Sequence, residues 1–119
     1  MSDRVIVVAG AGGFIGGHLV GEFLRQHKKV RAVDIKPLDQ WYQRFPNAEN
    51  LVLDLSEKAA CDKSLEGAGD VYSLACDMGG MGFIETHKAE CMLSVLINTH
   101  LLMAAHKHKT GRFFYASPA

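Results

Sequence analysis

The stretch that most constrains this 119-residue chain is Arg4-Val5-Ile6-Val7-Val8-Ala9, which runs directly into Gly10-Ala11-Gly12-Gly13-Phe14-Ile15-Gly16. A continuous β-branched run is apolar on both faces, and such a strand belongs in the middle of a parallel sheet rather than on a half-exposed one. After the glycines, Ile15, Leu19, Val20, Phe23 and Leu24 recur at helical spacing, with Glu22, Arg25 and Gln26 on the other side. Strand, glycine turn and helix in that order begin a βαβ unit. The apolar run is interrupted by five glycines between Val5 and Gly17 and is too short to span a bilayer.

The same alternation continues downstream. Val30-Arg31-Ala32-Val33-Asp34 reads as a second strand, Leu51-Val52-Leu53 as a third, Val71-Tyr72-Ser73-Leu74 as a fourth and Arg112-Phe113-Phe114-Tyr115 as a fifth. Residues 56–65 suit a helix capped by Ser56. Residues 85–108 suit a longer one, with Ala89, Met92, Leu93, Leu96, Ile97, Leu101 and Ala104 on its apolar stripe. Residues 35–50 are poorly patterned. They hold Pro37, Pro46 and the single tryptophan, Trp41, and are expected to form a loop with a short helical turn. Right-handed βαβ crossovers of this kind give an α/β, doubly wound parallel sheet of about five strands, a Rossmann-type architecture. The length, 1–119, suits one such domain.

Composition removes several function classes. Apolar residues at 48% and charged ones at 22% are too hydrophobic a mix for intrinsic disorder. Thirteen Lys and Arg balance thirteen Asp and Glu, so no bulk charge draws the chain to nucleic acid or to an anionic membrane. Three cysteines (Cys61, Cys76 and Cys91) have no metal-like spacing, and the N-terminus carries no secretory signal. Reduced thiols in a cytoplasmic protein are the expectation.

The glycine turn has a specific chemistry. Gly10 permits the tight turn, Gly13 lets a pyrophosphate approach the backbone and Gly16 lets the helix pack close to the strand, while the first-turn amides and helix dipole hold the phosphates. Asp34 ends the second strand about 20 residues beyond the last glycine, where a carboxylate takes the adenosine ribose hydroxyls. The same carboxylate repels the 2′-phosphate of NADP, so NAD is the expected cofactor. By strand alternation Arg31 points to the opposite face, and Lys36 is expected to be solvated.

With these residues in place, the chain resembles the extended short-chain dehydrogenase/reductases that act on nucleotide sugars. The resemblance implies cofactor contacts at Gly10, Gly12, Gly13, Phe14, Ile15 and Gly16. Asp54-Leu55 matches the family's acidic pair, whose Asp contacts the adenine amino group, and Leu74-Ala75-Cys76 matches its Leu-Ala-Ala beside the pyrophosphate and nicotinamide ribose. The loop Asp77-Met78-Gly79-Gly80-Met81-Gly82-Phe83-Ile84 is similar to that of GDP-mannose 3,5-epimerases, which implies sugar-nucleotide contacts at Met78 and Gly79. The resemblance also implies oxidation, epimerisation and re-reduction of a GDP-mannose-like sugar with bound NAD, and a homodimer in full-length members.

Three departures accompany it. Ser73-Leu74-Ala75-Cys76 stands where the family has Asn-Leu-Ala-Ala, and Pro118 stands where it has its catalytic Ser. Tyr-x-x-x-Lys is absent, since Tyr42, Tyr72 and Tyr115 are followed four residues later by Pro46, Cys76 and Ala119. The chain therefore reads as the front part of such an enzyme, cut before the catalytic helix and sugar-binding lobe, with no catalytic residue of its own and inactive alone. Another sugar-nucleotide epimerase or dehydratase, and a non-catalytic dinucleotide-binding module, are the alternative readings. None of the six histidines has partners at metal-ligand spacing, and His106 and His108 suit the C-terminal dipole of the long helix. Cys76 has no base placed beside it and reads as an incidental thiol.

Overall fold

A computed structural model describes the backbone of residues 4–74 and 84–115, and the side chains of 4–74 and 96–114. Five strands form one parallel sheet: β1 (Val5–Ala9), β2 (Val30–Asp34), β3 (Glu49–Val52), β4 (Ala68–Ser73) and β5 (Arg112–Tyr115). Their order across the sheet is β3-β2-β1-β4-β5, so the chain starts in the centre, builds outward to one edge and then crosses to build the other. That reversal places a crevice outside the carboxyl ends of β1 and β4, where open α/β sheets bind ligands. The expected α/β, Rossmann-type architecture is the one observed.

Side chains of β1 alternate between two cores. Val7 and Ala9 face α2 (Lys58–Ser64) and α3 (Ile84–Lys107), packing with Val33, Val71, Cys61, Leu65 and Leu101. Ile6 and Val8 face α1 (Phe14–Arg25) and the 38–48 loop, packing with Val20, Val30, Ala32, Trp41 and Ala48. A strand buried on both faces must be apolar at every position, which is why β1 was legible as central.

Both long helices stop in the same way. His27 after α1 and Lys109 after α3 take left-handed backbone (φ 64° and 55°). The amides of His27 and Lys28 return to the carbonyls of Leu24 and Phe23, and those of Lys109 and Thr110 to His106 and Ala105. These double returns close the last turn and satisfy carbonyls that would otherwise be orphaned. His108 does more than complement the dipole of α3. Its Nε2 stands 2.7 Å from Asp62 Oδ1 on α2, and Lys107 Nζ lies 3.1 Å from the same oxygen.

Several expectations change. β4 is Ala68–Ser73 rather than 71–74, and α2 is Lys58–Ser64 rather than 56–65. β3 is Glu49–Val52 rather than 51–53, because pairing with β2 sets Arg31 opposite Glu49. Ser56 does not cap α2. Its amide and hydroxyl both donate to Asp54 Oδ1, at 3.0 and 2.6 Å, and Glu57 occupies the cap position with no side-chain bond. Ile15 (68% exposed) and Leu96 (41%) stand in solvent although the helical pattern assigned both to apolar stripes.

Candidate functional site

The site is built at the carboxyl ends of the strands, and the glycines there do four different jobs. Gly10 has φ 87°, a left-handed conformation that favours glycine, and its amide and that of Ala11 hang on the Val33 carbonyl at 2.8 and 3.1 Å. A Cβ on Gly16 would lie 2.2 Å from the Gly10 carbonyl oxygen, so the first turn of α1 touches the turn directly. A Cβ on Gly12 would lie 2.9 Å from both Asp34 Oδ2 and Trp41 Cδ1. At Gly13 the nearest atom to such a Cβ is 3.6 Å away, an ordinary contact, and the backbone is extended at φ −86°, ψ 177°. Among the described residues nothing requires a glycine at Gly13. The space its missing side chain leaves lies at the start of α1.

Gly13 is the N-cap of α1 and offers no side chain to the first-turn amides. The first intrahelical bond is Gly17 N–H to the Gly13 carbonyl, 2.9 Å, so the amides of Phe14, Ile15 and Gly16 lie beyond the helix's own pairing. No acidic residue sits in that turn. Uncapped donors at a positive dipole end, next to a glycine gap, suit a phosphate group. Phe14, 57% exposed, meets His18 and Tyr42 edge-on, with ring centres 4.5 and 4.8 Å apart, and Ile15 projects beside it.

Asp34 ends β2 immediately beside this turn. Its Oδ2 accepts the Gly12 amide at 2.8 Å and its Oδ1 accepts the Lys36 amide at 3.0 Å. An ionised carboxylate has about four acceptor positions, so two remain for outside donors. Arg31 points to the far face, as alternation requires, and is spent on Glu49 and the carbonyls of Ser64 and Glu66. Lys36 is exposed.

Asp54 follows β3 at the same end. The Ser56 hydroxyl and amide hold its carboxyl below the ordinary 3.8, against a small opposing effect of burial. Leu55, next in sequence, lies in the core, 3% exposed, and its carbonyl accepts from the Cys61 thiol at 3.1 Å. Ser73 ends β4 and donates its hydroxyl to Asn98 of α3, and the Leu74 amide bonds the Ala9 carbonyl at 2.8 Å. The remaining expected contacts, Ala75, Cys76, Met78 and Gly79, and Pro118 with them, lie outside the described residues. Among the described residues no three metal-ligating side chains stand together, and no helix is long and apolar enough to cross a membrane.

The model of one family, described as the NAD dependent epimerase/dehydratase family, matches residues 6–119. The chain belongs to that family. As a member of it, the chain is 36% identical over 115 residues to GDP-mannose 3,5-epimerase 1 of Oryza sativa subsp. japonica, a match covering 96% of this chain and 30% of that protein. It therefore spans about 30% of the length of the relatives it resembles. Among solved structures of the fold, MoeE5 in complex with UDP-glucose and NAD superposes with a TM-score of 0.79 at 28% identity, over 94% of this chain and 36% of that one. UDP-glucose 4-epimerase from Thermotoga maritima superposes at 0.81 with 20% identity, over 95% and 37%, a likeness of fold alone.

Sequence reasoning missed Trp41. Residues 35–50 carry no clear period, and the one usable signal was a lone tryptophan a few residues beyond the acid that ends β2.

Proposed function

We propose that these residues form the NAD-binding portion of a nucleotide-sugar epimerase whose substrate is GDP-mannose or a sugar nucleotide close to it. The carrying observation is the pairing of two features at one edge of the sheet. Gly13 leaves a gap that packing among the described residues does not need, and Asp34 keeps acceptor positions open beside it toward those same residues. The family match and the 36% identity to a GDP-mannose 3,5-epimerase support the same reading.

In this proposal the amides of Phe14, Ile15 and Gly16 hold a pyrophosphate over Gly13, with Gly10 and Gly12 shaping the turn beneath. Asp34 accepts the adenosine ribose hydroxyls and excludes a 2′-phosphate by like charge. Asp54, kept ionised by Ser56, accepts from the adenine amino group, and the Leu55 backbone borders it. Exposed Phe14 and Ile15 cover the cofactor and keep water from its phosphates. Leu74, Ala75 and Cys76 line the nicotinamide side, and Met78 and Gly79 meet the sugar nucleotide. The chemistry NAD supplies when bound is reversible hydride acceptance from a sugar carbon. The tyrosine–lysine acid/base pair of the wider family does not occur within these 119 residues, so their part is to bind and orient rather than to move protons. A homodimer in the cytoplasm completes the proposal, open to test by sizing and fractionation.

Calorimetric titration with NAD and with NADP tests the site. NAD is expected to bind more tightly, and equal affinity or a preference for NADP overturns the role given to Asp34. A second reading, a dinucleotide-binding module without catalysis, draws on the missing Tyr-x-x-x-Lys. Deuterium exchange into GDP-mannose at carbons 3 and 5, catalysed by the full-length protein, excludes that reading.

A further inference from the structure

We propose that Trp41 is a positioning residue for the cofactor site: it fixes the Asp34 carboxylate in the orientation that receives a ribose diol. The inference rests on the NAD reading above and assigns a role to a residue that reading does not use.

A carboxylate at the end of a strand is free to turn about two side-chain bonds, so its aim must be set by its partners. Asp34 has two, the Lys36 amide on Oδ1 and the Gly12 amide on Oδ2. Trp41 connects both. Its indole Nε1–H donates to the Lys36 carbonyl at 2.8 Å, which pins the turn whose amide holds Oδ1. The next amide in the chain, Tyr42 N–H, donates to the Gly12 carbonyl at 2.8 Å, which pins the residue whose own amide, one peptide earlier, holds Oδ2. The result is a closed circuit: carboxylate, Lys36, indole, Tyr42, Gly12, carboxylate.

Packing gives the circuit its rigidity. Trp41 is 7% exposed, anchored among Ile6, Val8, Ala11 and Val20 between the sheet and α1. Its ring edge and the Asp34 carboxylate share the space over Gly12, each 2.9 Å from where a Cβ would stand. Gly12 is thus a glycine so that indole and carboxylate can both close on it. A tryptophan serving only as core filler needs its N–H satisfied by some acceptor. Here the acceptor is the carbonyl of the residue whose amide orients the acid.

The test separates positioning from packing. Titrate the purified protein and its Trp41→Phe variant, which keeps an aromatic ring but loses the N–H, with NAD and with NAD lacking the adenosine 2′-hydroxyl. The wild type is expected to prefer NAD over the 2′-deoxy analogue. Trp41→Phe is expected to bind NAD roughly five- to tenfold more weakly, the worth of about one hydrogen bond, and to lose that preference. A variant that weakens both ligands equally, with the preference intact, marks Trp41 as structural only and overturns the proposal. A wild type indifferent to the 2′-hydroxyl overturns instead the ribose role of Asp34 beneath it. Circular dichroism reports folding. Should Trp41→Phe not fold, Lys36→Pro removes the amide donor to Oδ1 from an exposed loop and is expected to show the same loss of preference. A retained preference there rejects the circuit.

Discussion

The two edges of the sheet handle charge in opposite ways. At the amino ends of the strands, three arginines are tied to groups of the chain itself. Arg4 donates to the carbonyls of Ala68 and Lys109, Arg31 to Glu49 and the carbonyls of Ser64 and Glu66, and Arg112 reaches Asp70 at 3.5 Å. At the carboxyl ends the acids are Asp34 and Asp54, and among the described residues neither is paired with a cation. Amides and a hydroxyl orient them and leave their charge uncancelled. Neutralised charge ties strands and helices together, whereas oriented and uncancelled charge is an offer to a ligand. The difference gives each edge its own expected response to mutation: stability at one, affinity at the other.

The sharpest break of that comparison is Gly13→Val. The extended backbone at Gly13 accepts a valine and none of the described residues opposes its Cβ, so the circular dichroism spectrum and melting temperature should hold. NAD affinity should fall by at least roughly a hundredfold, about 3 kcal/mol, because the side chain fills the pyrophosphate's space. An unchanged affinity measured by calorimetry moves the phosphates elsewhere.

Gly16→Ala, three residues on, should instead act on the fold. Its methyl meets the Gly10 carbonyl at 2.2 Å, backbone against backbone, and α1 must shift off the turn. Denaturant unfolding is expected to show a loss of about 2–3 kcal/mol, in the range of overpacking. A stability equal to wild type shows that helix and turn are looser than the contact implies.

At the other edge, Arg31→Met should cost about 1 kcal/mol of stability, since the partly buried Ser64 carbonyl loses its donor while the exposed Glu66 carbonyl and Glu49 carboxylate turn to water. NAD affinity should stay within about twofold of wild type, on the far side of the sheet from Asp34. A large drop in affinity with stability intact erases the distinction between the edges.

The smallest effect concerns Asp62, which clasps α2 to α3. Hydrogen bonds from His108 and Lys107 hold its carboxyl below the ordinary 3.8. A depressed carboxyl stabilises the fold fully above its unfolded pKa and stops doing so as pH falls through the lowered folded value. Wild type should therefore exceed Asp62→Asn in denaturation midpoint at neutral pH, the gap narrowing below about pH 4 and closing in stronger acid. A gap independent of pH assigns the difference to something other than this charge.

The parts of the fold legible in the sequence were those encoded locally. The β-branched run of β1 could be nothing but a buried strand, and Gly10, Gly16 and Asp34 are each tied to a position that neighbouring residues define. What escaped depends on partners distant in sequence. The bounds of β3 come from the pairing of Arg31 with Glu49, eighteen residues apart. Ser56 looked like a cap because its type favours caps, yet Asp54, two residues back, offers its hydroxyl a charged acceptor. Ile15 continued a helical stripe on paper, but it stands in the first turn of α1 and is 68% exposed, while Gly16 and Gly17 beside it are buried. In Trp41 the failure was of another kind. A side chain that joins Lys36 to the glycine turn has no periodic signature, and only three-dimensional closure reveals it.

Cys61 lies in the core between sheet and helices, fully buried, its Sγ 3.1 Å from the Leu55 carbonyl. Burial first, and the nearby Asp54 charge second, push its thiol up to about 12. At neutral pH the reactive thiolate is then roughly one part in 10⁵ of the total. Oxidants and alkylating reagents act on the thiolate, so this sulfur is chemically silent as long as the helices stay docked. It becomes reactive only when α2 leaves the sheet, and its rate of alkylation measures how often that happens.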